Sequence, residues 1–117
     1  AGGLSANIND VMAENLSRIL GTDQVVTHPW ARAVPVQYQV MLDIRRFDVT
    51  QDNKVYLLAQ WRLFMNDGKK LLEIKRTELA LPVNGSSHSA RAATQSVVLA
   101  ELSRQIADSI QKYAEVP

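Results

Sequence analysis

The sequence predicts an α+β domain in which two helices pack on one face of an antiparallel sheet of about four strands, in the order α-β-β-β-β-α. Two observations predict this fold class. Amphipathic helical patterns lie at both ends of the chain, over 7–20 and 89–113, and strand-like alternation fills 38–83 between them. With 117 residues, 46% of them apolar, the chain can form one core and therefore one domain, 1–117, without metal or disulfide support.

In the first helix, apolar residues recur at three- and four-residue steps. Asn7 is expected to cap its first turn, and Gly21 supplies the left-handed conformation that commonly ends helices. A short strand is predicted over 24–28. The following segment, 29–35, begins and ends with proline, which lacks the backbone donor needed inside a sheet, so we predict an edge or a connecting loop there.

Polar and apolar residues alternate over 37–45, which predicts a half-buried strand. The alternation slips at Arg46-Phe47, where a bulge or the strand end would turn Phe47 toward the core. A second long strand is predicted over 54–65, and Asp67-Gly68 then favours a two-residue hairpin that pairs Trp61 with Ile74. The predicted core face of the sheet comprises Tyr38, Val40, Leu42, Trp61, Leu63, Leu72 and Ile74.

Composition excludes several classes of function. Thirteen basic and twelve acidic residues give a formal charge of +1, which argues against a nucleic-acid-binding protein. The absence of Cys rules out thiol catalysis, disulfides and Cys-based zinc sites. The longest apolar runs fall short of the roughly 20 residues that cross a bilayer, so we expect a soluble chain.

Few residues have the spacing of a reaction centre. His28 and His88 belong to no short His-x-x-His or Glu-x-x-His pattern, and we interpret both as ordinary surface or capping histidines. The serines of 86–89 are better explained by capping of the second helix than by nucleophilic chemistry. We therefore expect no catalytic residue, no metal ligand and no cofactor, and a protein that is not an enzyme.

Five residues are candidates for binding a partner protein. Trp30 and Arg32 lie in the proline-bounded loop, and these residue types dominate binding hot spots, although a lid over the core is the simpler interpretation of Trp30. Leu58, Phe64 and Leu71 fall on the sheet face opposite the helices in the predicted register. If they are exposed together, they form an apolar patch of the kind that marks contact with another chain.

Basic pairs recur along the predicted strands. They could form a strip for anionic lipid headgroups, but solvated strand faces often carry such charges, and we favour solvation. The pairs are Arg45-Arg46, Lys69-Lys70 and Lys75-Arg76.

Three segments, taken in order, resemble the ABC-type transport auxiliary lipoprotein family: 12–20, 59–63 and 100–110. The resemblance implies a periplasmic domain tethered to the outer membrane by an acylated Cys, working with an MCE-type periplasmic protein and inner-membrane transport components to move lipids between the membranes. This sequence lacks the signal peptide, the acylated Cys and the N-terminal strand-forming region of that family. We therefore expect it to correspond to the C-terminal part of such a protein.

The leading hypothesis is a non-enzymatic periplasmic subunit of an envelope lipid or solvent-tolerance transport system that acts by protein-protein docking. The alternative is a ligand-binding or enzymatic cone with a pocket between sheet and helices, walled by Tyr38, Trp61 and Arg76. A general envelope adaptor is a third hypothesis, and homo-oligomerisation is left open. A filled core favours docking, whereas a deep cavity with converging polar groups favours the cone.

Overall fold

The computed structural model describes residues 2–21, 25–28, 38–65 and 69–114. Its elements are α1 (Gly2–Leu20), β1 (Val25–His28), β2 (Tyr38–Val49), β3 (Lys54–Met65), β4 (Lys70–Pro82) and α2 (His88–Ala114). The predicted α+β class is confirmed. Because α1 begins at Gly2, Asn7 lies inside the helix, and the prediction that it caps the first turn is wrong. Gly21 follows α1 with a φ of +66°, as predicted.

The sheet has the spatial order β1-β2-β3-β4. β2, β3 and β4 form an antiparallel meander, whereas β1 runs parallel to β2, from Val25 opposite Tyr38 to His28 opposite Met41. The prediction of a wholly antiparallel sheet is therefore wrong at β1. A two-residue hairpin requires antiparallel pairing, whereas nine residues, 29–37, are long enough to return along a strand of only four residues.

A β-bulge interrupts β2 at Arg45. Ile44 pairs with Ala59 and Arg46 pairs with Leu58, so Arg45 has no partner of its own across the ladder. Beyond this point Phe47 packs against the core. The predicted turn of Phe47 toward the core is confirmed, and the bulge lies one residue before the predicted slip.

A second bulge interrupts β4 at Leu72. The pairs are Met65↔Lys70 and Phe64↔Leu71 near the turn, then Leu63↔Glu73 and Trp61↔Lys75 beyond it. The two-residue register is therefore confirmed only at the first two pairs, and the predicted pairing of Trp61 with Ile74 is wrong. The extra residue turns Ile74 away from the helices, where it is 52% exposed.

Both helices and one face of the sheet build a single core. α2 contacts β3 and β4, while α1 contacts α2 and β1. The odd-numbered side chains of β3, from Val55 to Leu63, lie on the helix-covered face of the sheet with almost no exposure. Met12 and Leu16 of α1 and Leu102 of α2 belong to the same buried cluster. Burial of this apolar surface is the main contribution to the stability of the fold.

The opposite sheet surface carries no helix among the described residues, and we call it the open face. Its side chains follow from the register of the three antiparallel strands. They include Met41, Asp43, Arg46, Asp48, Tyr56, Leu58, Gln60, Arg62, Phe64, Leu71, Ile74, Arg76 and Glu78.

Candidate functional site

Three of the five predicted partner-binding residues lie on the open face. Phe64 and Leu71 are directly opposite each other on adjacent strands, and Leu71 is 47% exposed. Leu58 is six residues away along β3, about 20 Å, with Gln60 and Arg62 between. The structure therefore brings Phe64 and Leu71 together and leaves Leu58 outside their patch.

Ile74 extends the apolar patch in place of Leu58. It lies on the same face as Leu71, and Met41 lies two strands away in the same row, with Arg62 between them. Gln39, opposite Phe64, is buried, so this end of the open face is partly covered. Trp30 and Arg32 fall outside the described residues.

Two shallow depressions adjoin at the centre of the open face. They have volumes of about 420 Å³ and 290 Å³, and both are lined by Gln60 and Arg45. Arg76 completes the first depression and Arg62 completes the second. We call this surface the arginine trough, defined by Arg45, Arg62 and Arg76 around Gln60.

The three arginines of the trough differ in their partners. The Nε of Arg45 lies 2.9 Å from a carboxylate oxygen of Asp43. Arg62 donates from Nη1 to the sulfur of Met41 at 3.6 Å. Among the described residues, no carboxylate lies within ion-pair distance of Arg62 or Arg76. Since a guanidinium has five donors, most of those on Arg62 and Arg76 are available to another molecule.

A cluster of mixed charge adjoins the trough. Arg46 lies 3.3 Å from Asp48 and stacks on the ring of Tyr56, with 4.3 Å from its guanidinium carbon to the ring centroid. The Tyr56 hydroxyl donates to Glu78, and that hydrogen bond raises the pKa of Tyr56 above its ordinary value. The cluster has one cation, Arg46, and two carboxylates, Asp48 and Glu78, so it is slightly negative beside the positive trough.

The helix side of β4 holds a buried hydrogen-bond chain. The indole Nε1 of Trp61 donates to the Thr77 hydroxyl at 3.1 Å, and that hydroxyl donates to Gln105 Oε1 at 2.9 Å. Trp61 is 1% exposed and Thr77 is 4% exposed. These hydrogen bonds connect β3, β4 and α2, and we assign them a structural role because the Trp61 indole N–H and the Thr77 hydroxyl are buried and hydrogen-bonded.

Glu73 forms a second polar link between β4 and α2. Its side chain is 11% exposed, and the ammonium groups of Lys75 and Lys112 lie 3.2 and 3.3 Å from its carboxylate oxygens. Burial raises the pKa of Glu73, but the contacts with the two lysines outweigh it and hold the pKa below its ordinary value. Lys75 therefore lies on the helix side of β4 whereas Arg76 lies on the open face, so these two residues do not form one continuous basic strip.

The pocket of the alternative hypothesis is not assembled. Tyr38 and Trp61 are packed into the core, whereas Arg76 lies on the exposed edge strand. Trp61 and Arg76 both border a surface depression of about 380 Å³ between β4 and α2, but Tyr38 does not line it. The core between sheet and helices is filled by the apolar side chains described above.

The loop before α2 performs a capping role, as predicted. The backbone N–H of Ala90 donates to the Ser87 hydroxyl at 3.0 Å. His88 is the exposed first residue of α2. Within the described parts of the chain, no group of three or more His, Cys, Asp or Glu residues could hold a metal ion.

Sequence reasoning missed the arginine trough. It depends on both bulges, because Arg45 sits in the first and the second turns Arg76 to the same face as Arg62. The doubled Leu71-Leu72, which breaks the alternation of β4, was the signal that could have located the second bulge.

A filled core, helices tied to the sheet by buried polar links, and an exposed sheet face together define an α+β scaffold. The chain belongs to the ABC-type transport auxiliary lipoprotein component family, whose sequence profile matches residues 1–107. No curated protein sequence matches it at a significant level.

Solved structures share the fold. A crystal structure described as an "uncharacterized protein" has a TM-score of 0.72 and 18% identity, covering 92% of this chain and 66% of its own. A "putative lipoprotein from Caulobacter crescentus CB15" has a TM-score of 0.65 and 18% identity, with coverages of 88% and 80%. A Xanthomonas campestris protein has a TM-score of 0.57 and 15% identity, with coverages of 69% and 52%. At these identities the likeness establishes the fold alone.

The chain thus spans about two thirds of the first of these structures and about half of the third. Neither helix, over its described residues, has the length and apolar character needed to cross a membrane.

Proposed function

We propose that this chain is a non-enzymatic auxiliary subunit of an ABC/MCE-type transport system that moves lipids, or confers solvent tolerance, across the bacterial envelope. In this proposal it works in the periplasm, in a protein tethered to the outer membrane, and acts by protein-protein docking. Its partners are an MCE-type periplasmic protein and the associated inner-membrane components. Membership of the transport auxiliary family supports the system, and the family description supports the lipid tether.

The observation that carries the docking mechanism is the contrast between the two faces of the sheet. One face is filled by two helices, and its polar groups are used in links such as Trp61–Thr77–Gln105. The other face exposes Leu71 and Ile74 beside Arg62 and Arg76, which have no carboxylate partner among the described residues. Exposed apolar side chains next to arginines are typical of protein-binding surfaces.

We therefore propose that the partner contacts Phe64 and Leu71, and that Trp30, Arg32 and Leu58 also take part in partner binding. Phe64 and Leu71 are adjacent across two strands, which lets one apolar group of a partner cover both. Trp and Arg are enriched among the residues that contribute most to binding, which supports the inclusion of Trp30 and Arg32.

Site-specific photocrosslinking tests the proposal in intact cells. A benzoylphenylalanine at Leu71, in the full-length protein with its native anchor, should crosslink to a transport component identified by mass spectrometry. The matched control is Val97, which is 56% exposed on α2, on the other side of the sheet. Recovery of no transport component from Leu71, with the protein folded and correctly localised, would contradict the proposal.

A further inference from the structure

Arg62 and Arg76 have a defined spacing on the open face. Arg62 is opposite Ile74, and Gln60 is opposite Arg76, so the two arginines are diagonal neighbours on adjacent strands. Diagonal Cβ atoms in a sheet are about 7–8 Å apart. Alternate residues of an extended chain are about 6.8 Å apart. Two carboxylates at alternate positions of an extended segment therefore match the spacing of these arginines.

The charge of the arginine trough is positive. Its three guanidinium groups face one lining carboxylate, that of Asp43, which is already paired with Arg45. Guanidinium forks bind carboxylates through two parallel hydrogen bonds, and these charged bonds are stronger than neutral ones. Arg62 and Arg76, which have no carboxylate partner among the described residues, are thus complementary to a ligand that carries at least two carboxylates.

The surroundings of the trough favour a protein segment over a lipid. A phosphate headgroup would also satisfy the guanidinium groups, but its acyl chains need enclosure from water. The depressions are shallow, and the core beneath the sheet is filled, so no channel among the described residues receives such chains. A peptide needs only a small apolar contact, which the exposed Leu71 and Ile74 provide.

We infer that the arginine trough binds an extended acidic segment of the transport partner, with carboxylates on Arg62 and Arg76 and an apolar side chain against Leu71 and Ile74. This inference rests on the proposed function, since it names the surface and the partner chemistry through which docking occurs. Charge pairing at an exposed site should also make association fall as ionic strength rises.

The test combines the Leu71 crosslinker with neutralised arginines. R62Q/R76Q removes two charges from the trough, and R18Q/R104Q removes two from the helices, where Arg18 bonds Asn15 and Arg104 pairs with Glu101. Loss of charged hydrogen bonds costs about tenfold in affinity for each arginine. We expect R62Q/R76Q to reduce the crosslink to the transport component at least tenfold, and R18Q/R104Q to change it less than twofold.

Thermal denaturation followed by circular dichroism controls for folding. Because Arg62 and Arg76 have no carboxylate partner among the described residues, R62Q/R76Q should be no less stable than R18Q/R104Q. Sequencing of the crosslinked peptide should find acidic residues at alternate positions, which gives a second readout of the inference.

The other outcomes are distinguishable. If the wild type crosslinks a transport component and R62Q/R76Q does so equally, the inference is wrong and the proposed function stands. If the wild type crosslinks none, the proposed function itself fails. Arginine-dependent binding to phosphatidylglycerol vesicles without an arginine-dependent protein crosslink would overturn the inference in favour of a lipid. Arginine-dependent crosslinking to a second copy of this chain would overturn it in favour of self-association.

Discussion

The substitution Thr77→Val tests whether the buried hydrogen-bond chain holds α2 on the sheet. Valine preserves the shape of threonine but removes the hydroxyl that accepts from Trp61 at 3.1 Å and donates to Gln105 at 2.9 Å. Gln105 is only half-buried and can form a hydrogen bond with water instead, whereas the Trp61 indole N–H is buried and cannot reach water. A buried donor left without an acceptor costs about 1–3 kcal/mol, so we expect T77V to lower the free energy of unfolding by about 2 kcal/mol.

Urea denaturation followed by far-UV circular dichroism measures this loss. With a typical m-value of about 2 kcal/mol/M, the midpoint should fall by about 1 M at unchanged m. T77S is the matched control, because it keeps the hydroxyl and loses only a methyl group, at a cost of about 1 kcal/mol. If packing of the methyl group mattered more than the hydrogen bonds of the hydroxyl, T77S would be the less stable variant.

A spectroscopic readout isolates the hydrogen bond itself. The chain has two tryptophans, so a W30F background leaves the indole N–H of Trp61 as the sole indole signal in a ¹⁵N spectrum. In T77V this signal should move upfield and its proton should exchange faster with water. The reasoning is refuted if T77V is as stable as the wild type, or less destabilised than T77S, with the indole signal unmoved.

Substitutions at three further positions have defined outcomes. The contacts with two lysines lower the pKa of Glu73 in the folded state, so its ionic contribution of about 1 kcal/mol is fully present above the ordinary value of 4.5 and is lost as pH falls through the folded pKa. The stability gap between wild type and E73Q in urea titrations should therefore narrow as pH falls below 4.5, and a gap that stays constant through that acid titration contradicts the assignment. Asn53 has a φ of +59° and donates to the Gly85 carbonyl oxygen at 2.6 Å. N53A should therefore lower the free energy of unfolding by about 1–2 kcal/mol, and N53G by about half as much, because glycine adopts positive φ without strain. Equal melting temperatures for the two variants would exclude a contribution from backbone strain. The Ser103 hydroxyl is fully buried between the helices and accepts a hydrogen bond from Asn15 at 3.2 Å. In chemical denaturation, S103A should lower the free energy of unfolding by about 1 kcal/mol, and S103L, whose larger side chain overpacks the site, by about 3 kcal/mol. An S103L variant as stable as the wild type would mean that the two helices can separate at little energetic cost.

The sequence contained enough to locate the elements of secondary structure. Hydrophobic periodicity predicted α2 and β3 closely, since their patterns are long and regular. It also predicted that Phe47 turns toward the core, because a single slip in the alternation of a strand indicates a bulge, and a bulge reverses the face of the residues after it. The first residue of α1 was harder to predict, because the glycines and small residues before Asn7 show no hydrophobic periodicity.

The surface of the sheet was predicted less well than its core. In β4 the order Glu73-Ile74-Lys75 alternates charge and apolar residue, and the natural assumption is that the isoleucine is buried. In the structure the Glu73 side chain is largely buried, and its carboxylate pairs with Lys112 of α2, which lies 39 residues later in the sequence. A local sequence pattern does not contain this long-range ion pair. The register of β4, and therefore the position of the arginine trough, became clear only from the structure.

The bulge at Leu72 has a consequence for how this protein tolerates length changes. Removing a residue from a strand normally inverts every side chain beyond the deletion. Here a deletion of Leu72 would join Leu71 to Glu73 in continuous antiparallel pairing with Phe64 and Leu63, so both halves of the strand would keep their present orientation. The loss would be confined to the packing of Leu72 and to the bond that its carbonyl accepts from Tyr113. Homologous sequences should accordingly show one-residue gaps at this position and few elsewhere in the strand.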